Sequence, residues 1–436
     1  MTPLNQMPLT SLKKYQQSID KKTQALKRFF ISGTVRLFFL LSCAAIFASG
    51  CASAKPEQVR PWNTFLQNAG RLNYNEEPLA LPLKSSWSKD VSPFKLYNKF
   101  PKEQLSTPAI SGGMLYTGST NGKFYALNAE TGWAEWRYIA QYPLEGAPTV
   151  TDGFVCFGAG DGVLRCLDRK NGKEAWRYQA RSEIISSPLA SPERVYVYSS
   201  DDRIHALDLK TGEKLWIYSR GVYQTITPRL SASPAASDDF QKIYQLFSDG
   251  NLVCLSAVTG KPVWIKKVLR SFDATDRFRR TPAVFDGSVY VIDDTNTILA
   301  LNADTGELKN IYNVIKANDF VIVNKRQIAI AGVDRAVLFD MLTGAILWNT
   351  EIKHSPLSSL FAAGDYLFVL SNYEHAPLGI DFLSSIKGYV EAIKLKTGEV
   401  AWGYRFGTTL SANASYSERH IALLGDGGKL KVFRAR

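Results

Sequence analysis

Apolar and polar residues alternate in short runs along this chain, and the runs recur. Met114-Leu115-Tyr116-Thr117 and Lys123-Phe124-Tyr125-Ala126 flank the turn residues Thr120-Asn121-Gly122, which predicts a β-hairpin. Ala126-Leu127-Asn128 then leads to Thr131-Gly132, a second tight turn, and to Trp136 on a third run. The same spacing returns at Cys166-Leu167-Asp168, Asn171-Gly172 and Trp176, and at Ala206-Leu207-Asp208, Thr211-Gly212 and Trp216. Three more copies place Trp264, Trp348 and Trp402 behind Thr259-Gly260, Thr343-Gly344 and Thr397-Gly398; a seventh, at Thr305-Gly306, has Asn310 where Trp is expected. Upstream, a Ser, Thr or Ala before Pro108, Pro148, Pro188, Pro234 and Pro282 opens a further strand, since proline is tolerated at a strand's first residue or edge. Each unit therefore reads as a four-stranded antiparallel meander.

The turn glycines recur every 38 to 54 residues. A single meander cannot cover both of its faces, so the units must stack, and closure into a ring removes the free edges. After the seventh turn, strand-like runs at residues 409–416, 420–424 and 429–433 make three strands without a fourth. Residues 83–89, with Trp87, can supply it. The predicted fold is all-β: an eight-bladed β-propeller of four-stranded antiparallel blades over residues 83–436, its last blade closed by an N-terminal strand. None of the nine Trp is followed by Asp, which argues against a WD-type propeller.

Ahead of the ring the pattern changes. Residues 37–47, LFFLLSCAAIF, form a largely apolar run behind a basic flank, of a length that suits a signal-peptide core and is short for a membrane span. It ends in Ala48-Ser49-Gly50-Cys51, which resembles the lipobox of bacterial lipoproteins, with Ala48 where Leu is preferred. That resemblance implies a signal peptide over residues 1–50, lipid attachment at Cys51, and sorting to the outer membrane because Ala52 follows. Several acyl chains, at about 0.8 kcal/mol per buried CH₂, would hold the body durably on a bilayer. An ordinary cysteine near a cleavage site is the alternative. Residues 51–82, with Pro56, Pro61, Pro78 and Pro82, are expected to be a mostly irregular tether.

Charge adds little. Of the formal +12, residues 1–50 contribute +6, from seven basic groups and Asp20, so the body carries only a thin basic excess and nucleic acid is not an expected partner.

The Ala-x-x-x-x-Thr-Gly-x-x-x-Trp unit resembles the tryptophan-docking repeat of PQQ-type (quinoprotein-like) propellers, in which Trp packs onto the neighbouring blade. With the lipobox, eight blades and Asn318-Asp319-Phe320-Val321 before the sixth, the chain is similar above all to the BamB family of outer-membrane β-barrel assembly lipoproteins. The resemblance implies a non-catalytic scaffold, monomeric and lipid-anchored on the periplasmic face of the outer membrane, that binds a BamA-like subunit through loops leading into blades four and five. For the first loop it points to Ile226 and Arg229, with Pro228 between them departing from the family pattern. In the second, Arg277 and Arg279 stand where acidic residues are expected, with Asp273 and Asp276 a few places earlier, a reversal that would change a partner's fit.

Two other readings remain open: an envelope scaffold outside the assembly machinery, and a PQQ-dependent dehydrogenase. The dehydrogenases resemble this chain in fold but carry a vicinal Cys-Cys pair and a calcium-binding set, and neither stands out here. His205, His354, His375 and His420 lack metal-ligand spacing, so no cofactor or metal is expected. Cys166 and Cys254 occupy the repeat position held elsewhere by Ala, which favours small buried residues, while Cys156 lies across a hairpin from Cys166 in a register the sequence leaves undecided. Residues 219–240 and an enlarged hairpin turn at 374–387 depart from the repeat in length and are candidate recognition loops.

Overall fold

A computed structural model describes residues 63–92, 102–220, 232–270, 280–376 and 384–435. These residues form eight antiparallel four-stranded blades in chain order, one of which gains a fifth strand. Blade one comprises Ala109–Ser111, Met114–Gly118, Lys123–Asn128 and Ala134–Ile139. Blades two to seven repeat it, ending on outer strands Glu174–Gln179, Lys214–Ser219, Pro262–Lys267, Leu308–Tyr312, Ile346–Glu351 and Val400–Arg405. Burial falls from the axis outward: Ala109–Ser111 is wholly buried, whereas Ala134–Ile139 alternates exposed and half-buried positions. The short first strands line the axis. The outer strands meet solvent on one face and so keep the alternation visible in the sequence.

Blade eight is built from both ends of the chain. Ser415–Ser417, His420–Gly425 and Lys429–Arg434 supply three strands, and Lys84–Asp90 pairs antiparallel with Lys429–Arg434 as the outermost. The predicted N-terminal closure is what the structure shows.

Blade-to-blade cohesion comes from the repeat's indole. Trp136, Trp176, Trp216, Trp264 and Trp348 each donate Nε1–H to a backbone carbonyl of the following blade, those of Arg169, Leu209, Ala257, Ala303 and Leu395, at 2.7–3.1 Å. Trp87 does the same from blade eight to Ala129 of blade one, 2.8 Å away, and so clasps the ring. In five cases the indole ring covers the Gly of the next Thr/Asn-Gly turn, and Trp348 covers Gly398 through its Cβ and Cγ. A Cβ on Gly132 would come within 2.6 Å of the Trp87 ring, and φ there is +74°. Gly344 has the same backbone, φ +75°, but nothing within 4 Å of its would-be Cβ, because blade five carries Asn310 instead of Trp.

The Ser/Thr-Pro pairs do more than open strands. Ser187 Oγ accepts the Ala147 N–H, Ser233 Oγ accepts the Ser187 N–H, and Thr281 Oγ1 accepts the Ser233 N–H, at 2.9, 2.9 and 3.1 Å. The hydroxyls before Pro188, Pro234 and Pro282 thus satisfy the backbone of the preceding blade at the buried axis, where an orphan N–H would be expensive.

The expected tether is corrected over its described part. From Asn63 onward the segment is packed against the ring instead of standing off it. Leu66, Gln67, Arg71 and Asn73 adopt positive φ, which folds the stretch into successive turns. Carbonyls of Asn63, Ala69, Gly70 and Asn73 accept N–H groups of Val150, Ala236, Val284 and Ala362, on the axial strands of blades two, four, five and seven. Tyr74–Asn75 adds a parallel fifth strand to blade seven by pairing with Leu357–Ala363. Asn75 Nδ2 donates to the Tyr416 carbonyl of blade eight, and Glu77 accepts the N–H groups of Glu418 and Arg419. At the centre of this plug Arg71 is fully buried. Its guanidinium donates to the carbonyls of Phe65, Pro188 and Pro234 and to Thr64 Oγ1, at 2.6–3.2 Å. Burial pushes its pKa down to about 9, which still leaves it charged at neutral pH. Residues 51–62 lie outside the described residues.

Cys156 and Cys166 face each other in the blade-two hairpin and form a disulfide, settling the register the sequence left undecided. Cys254 matches the expectation of a small buried residue, and burial pushes its thiol up to about 12. A Cys156→Ser/Cys166→Ser pair should lower unfolding free energy by about 2–3 kcal/mol, the value for closing a loop of this size. Urea unfolding with and without reductant measures it; coincident curves would mean that the crosslink contributes nothing.

Candidate partner-binding surface

The ring has two unlike ends. One, the turn face, carries the turns between first and second strands together with the Thr/Asn-Gly turns, and the plug closes it near the axis. The other, the loop face, carries the connections between blades and the turns between second and third strands.

On the turn face an open cleft of about 490 Å³ lies beside the plug, bordered by Asn68, Thr149, Asp152, Asp238 and Phe240. On the loop face the connections into blades four and five have described stems. Arg220 pairs with Asp249 of the blade-four turn at 2.8 Å, and the Arg270 N–H donates to Asp294 of the blade-five turn at 3.1 Å. Ile226 and Arg229, and likewise Asp273, Asp276, Arg277 and Arg279, lie outside the described residues. Beneath the blade-four stem, Asp202 accepts bonds from the Tyr198 hydroxyl and from the Ser248 N–H and hydroxyl, so a buried carboxylate locks the turns of blades three and four together. Burial and this carboxylate raise the Tyr198 hydroxyl well above the usual phenol range.

The blade-seven departure also lies on the loop face. The base of the expected turn is strand: Tyr366–His375 and Ser385–Lys394 pair all the way to His375 opposite Ser385. Residues 377–383 at the tip lie outside the described residues. Against the hairpin, His354 stacks on Tyr373 with centroids 4.4 Å apart and meets Tyr389 edge-on at 4.6 Å. Lys353 Nζ sits 5.3 Å from the centre of the Tyr389 ring. Burial, then the charges of Lys353 and Arg405, lower the His354 pKa and keep its imidazole neutral at physiological pH. Ile386 leaves 61% of its surface in water, which makes the hairpin an amphipathic aromatic and basic ridge.

Of the other histidines, His205 is buried between Tyr178 and Ser199, with a pKa lowered to about 4 by desolvation, and His420 faces Glu130 across the closure between blades eight and one. The structure therefore scatters the histidines. Among the described residues no group of three or more His, Cys, Asp or Glu could hold a metal ion. Sequence reasoning missed the plug and Arg71; its only signal was the density of turn formers in Asn68-Ala69-Gly70-Arg71-Leu72-Asn73-Tyr74-Asn75.

Eight blades, a docked indole in six of the blade junctions and a glycine turn beneath each define a PQQ-type propeller. The family model for outer membrane protein assembly factor BamB matches residues 84–181, 155–310 and 310–404. The chain belongs to that family. Among solved structures, BamB from Moraxella catarrhalis superposes with a TM-score of 0.64 at 20% identity, covering 81% of this chain and 100% of that one. A europium-containing methanol dehydrogenase gives 0.63 at 15% identity, with coverages of 85% and 89%. Quinohemoprotein alcohol dehydrogenase from Comamonas testosteroni gives 0.64 at 14%, with 86% and 80%. At these identities the likeness speaks for fold alone. An uncharacterized protein of Rickettsia prowazekii (strain Madrid E) is 25% identical over 154 residues, or 32% of this chain, and the chain spans only 36% of that relative's length.

Proposed function

We propose that the protein is a non-catalytic scaffold, anchored by a lipid on Cys51 to the periplasmic face of the outer membrane, that takes part in assembly of β-barrel outer-membrane proteins. The observation that carries the reading is the family match across residues 84–404, joined to a loop face that carries the stems of the blade-four and blade-five connections and the blade-seven ridge. Ile226 and Arg229 are the proposed contacts to a BamA-like subunit, and residues 1–50 the cleaved signal. The turn face, closed by the plug, is left for the membrane side.

Capture from detergent-solubilised outer membranes tests this. Wild-type protein is expected to recover the barrel-inserting subunit. Arg229→Glu should reduce the yield at least ~5-fold, as expected for reversing one charge at a contact. Replacing residues 375–386 by an Asn-Gly turn should leave the fold intact, because pairing from Asn372 opposite Gly388 inward is untouched, and should also weaken capture. Unchanged yields for both variants would remove the loop face from the interface. Cys51→Ala should move the protein from the membrane pellet to the supernatant.

The likeness to quinone-dependent dehydrogenases motivates a second reading. The plugged end of the axis does not fit a calcium-held quinone. Calcium needs six to eight oxygen ligands, and the groups there are neutral carbonyls and hydroxyls already engaged with the buried cation of Arg71. Dye reduction by purified protein supplied with quinone and calcium would favour this reading over the scaffold.

A further inference from the structure

Between blades five and six the docking site exists without its indole. Asn310 occupies the Trp position of the outer strand Leu308–Tyr312, and the receiving turn of blade six, with Gly344 open above it, is otherwise built like the others. The result is a cleft of about 280 Å³, bordered by Tyr290, Asn310, Tyr312, Lys325, Met341 and Leu342. Leu342, beside the open turn, is 80% exposed. An indole side chain needs roughly half of that volume when packed at interior density.

The six filled junctions say what chemistry the cleft selects. In each, an indole side chain covers the turn glycine while its N–H reaches the carbonyl three residues before that glycine, as from Trp264 to Ala303 ahead of Gly306. The matching carbonyl at the open site belongs to Met341. Its walls add apolar surface from Leu342 and Met341 and a pair of tyrosine rings, Tyr290 and Tyr312, stacked with centroids 6.5 Å apart. Of the flanking cations, Lys325 is paired with Asp286 at 2.7 Å, while Lys309 donates to the neutral Ser288 hydroxyl and keeps its charge, which the face of an incoming aromatic ring can accept as a cation–π partner.

We propose that this cleft is a recognition site for a tryptophan side chain presented by a partner polypeptide, which docks as the chain's own indoles dock in the other junctions. The site lies on the turn-face rim, away from the loops invoked above, and does not depend on the assembly reading.

The test uses the full-length lipoprotein in detergent and the peptide acetyl-Lys-Leu-Trp-Ile-Tyr-amide, which copies the docked strand of blade three, with the Trp→Ser peptide as control. Binding is followed by saturation-transfer NMR on the tyrosine ring resonances that both peptides carry and, for the Trp peptide, also on its indole resonances. Wild-type protein should give indole contacts that saturate in the millimolar range or below, and Asn310→Trp, which fills the cleft from within, should weaken binding at least 10-fold while raising the melting temperature. Equal signals from the two peptides, or no loss in a folded Asn310→Trp protein, would overturn the proposal. Leu342→Asp, which puts a charge on the 80% exposed apolar wall of the cleft without supplying an indole or straining the turn at Gly344, guards against a misfolded Trp variant and should also abolish binding; binding that survives it overturns the site. Self-association abolished equally by Trp133→Ala and by Asn310→Trp would show that a second copy's exposed Trp133 is the occupant, against a separate partner.

Discussion

Gly132→Ala should lower the stability of the propeller by about 3–4 kcal/mol, whereas Gly344→Ala should lower it by only about 1 kcal/mol. The two glycines share a left-handed backbone, φ +74° and +75°, so the conformational penalty for a Cβ is the same at both. They differ in what lies above them. At Gly132 the new methyl would meet the Trp87 ring at 2.6 Å, and the docked ring cannot stay where it is. Its displacement forfeits packing and the hydrogen bond to the Ala129 carbonyl, worth about 1 kcal/mol. Because Trp87 sits on the strand that closes the ring, the damage spreads to blade eight. At Gly344 the methyl enters open space. Urea midpoints of the two variants measure the difference, and equality within about 0.5 kcal/mol would mean that indole docking does not hold the blades together.

Arg71→Ala should be of similar size, about 3 kcal/mol, although no ion pair is broken. The substitution leaves the carbonyls of Phe65, Pro188 and Pro234 and the Thr64 hydroxyl without their donor in a space closed to water. Recovered desolvation of the guanidinium, the same burial that pulls its pKa down, offsets part of the loss. Arg71→Lys should rescue less than half: an ammonium is a single point of donation, and it cannot span carbonyls on blades three and four at once as the planar fork does. Thermal unfolding and chymotrypsin cleavage at Phe65, Leu72 or Tyr74, sites that wild type and variants share, report the effect. An Ala variant that melts with the wild type and resists chymotrypsin equally would show that the plug is held by its backbone bonds alone.

The ring was legible because its determinants are local. Within a blade, the turn glycine and the Trp stand four residues apart, and the hairpins pair neighbouring runs, so a fixed spacing carried the whole architecture, including the three-strand remainder that Lys84–Asp90 completes. The plug was not legible for the opposite reason. Arg71 meets Pro188 and Pro234 across 117 and 163 residues, and Asn75 meets Tyr416 across 341, with no periodic pattern to mark either. Proline and asparagine in residues 51–82 signal irregular backbone equally well whether it is solvated or packed. The Cys156–Cys166 pair needed a register that one residue in the Asp161-Gly162 turn would have changed. On the loop face the blade-seven ridge showed only as extra length, because exposed strands that continue a hairpin look like a loop when no repeat copy shares them. The candidate contacts Ile226 and Arg229 rested on family resemblance, with no periodic or packing signal of their own.

A ring whose first and last strands lie side by side imposes an order on biogenesis. Ribosomes deliver residues 63–90 early, yet the partners of those residues in blade eight are made last. Until the final residues emerge, blade eight lacks its inner three strands and blade one has no clasp, so a nascent or truncated chain presents open sheet edges of the kind that invite intermolecular pairing. Loss of even the C-terminal Lys429–Arg434 would strand the N-terminal strand as well, which makes this fold tolerant of many interior loop changes and intolerant of trimming at its far end.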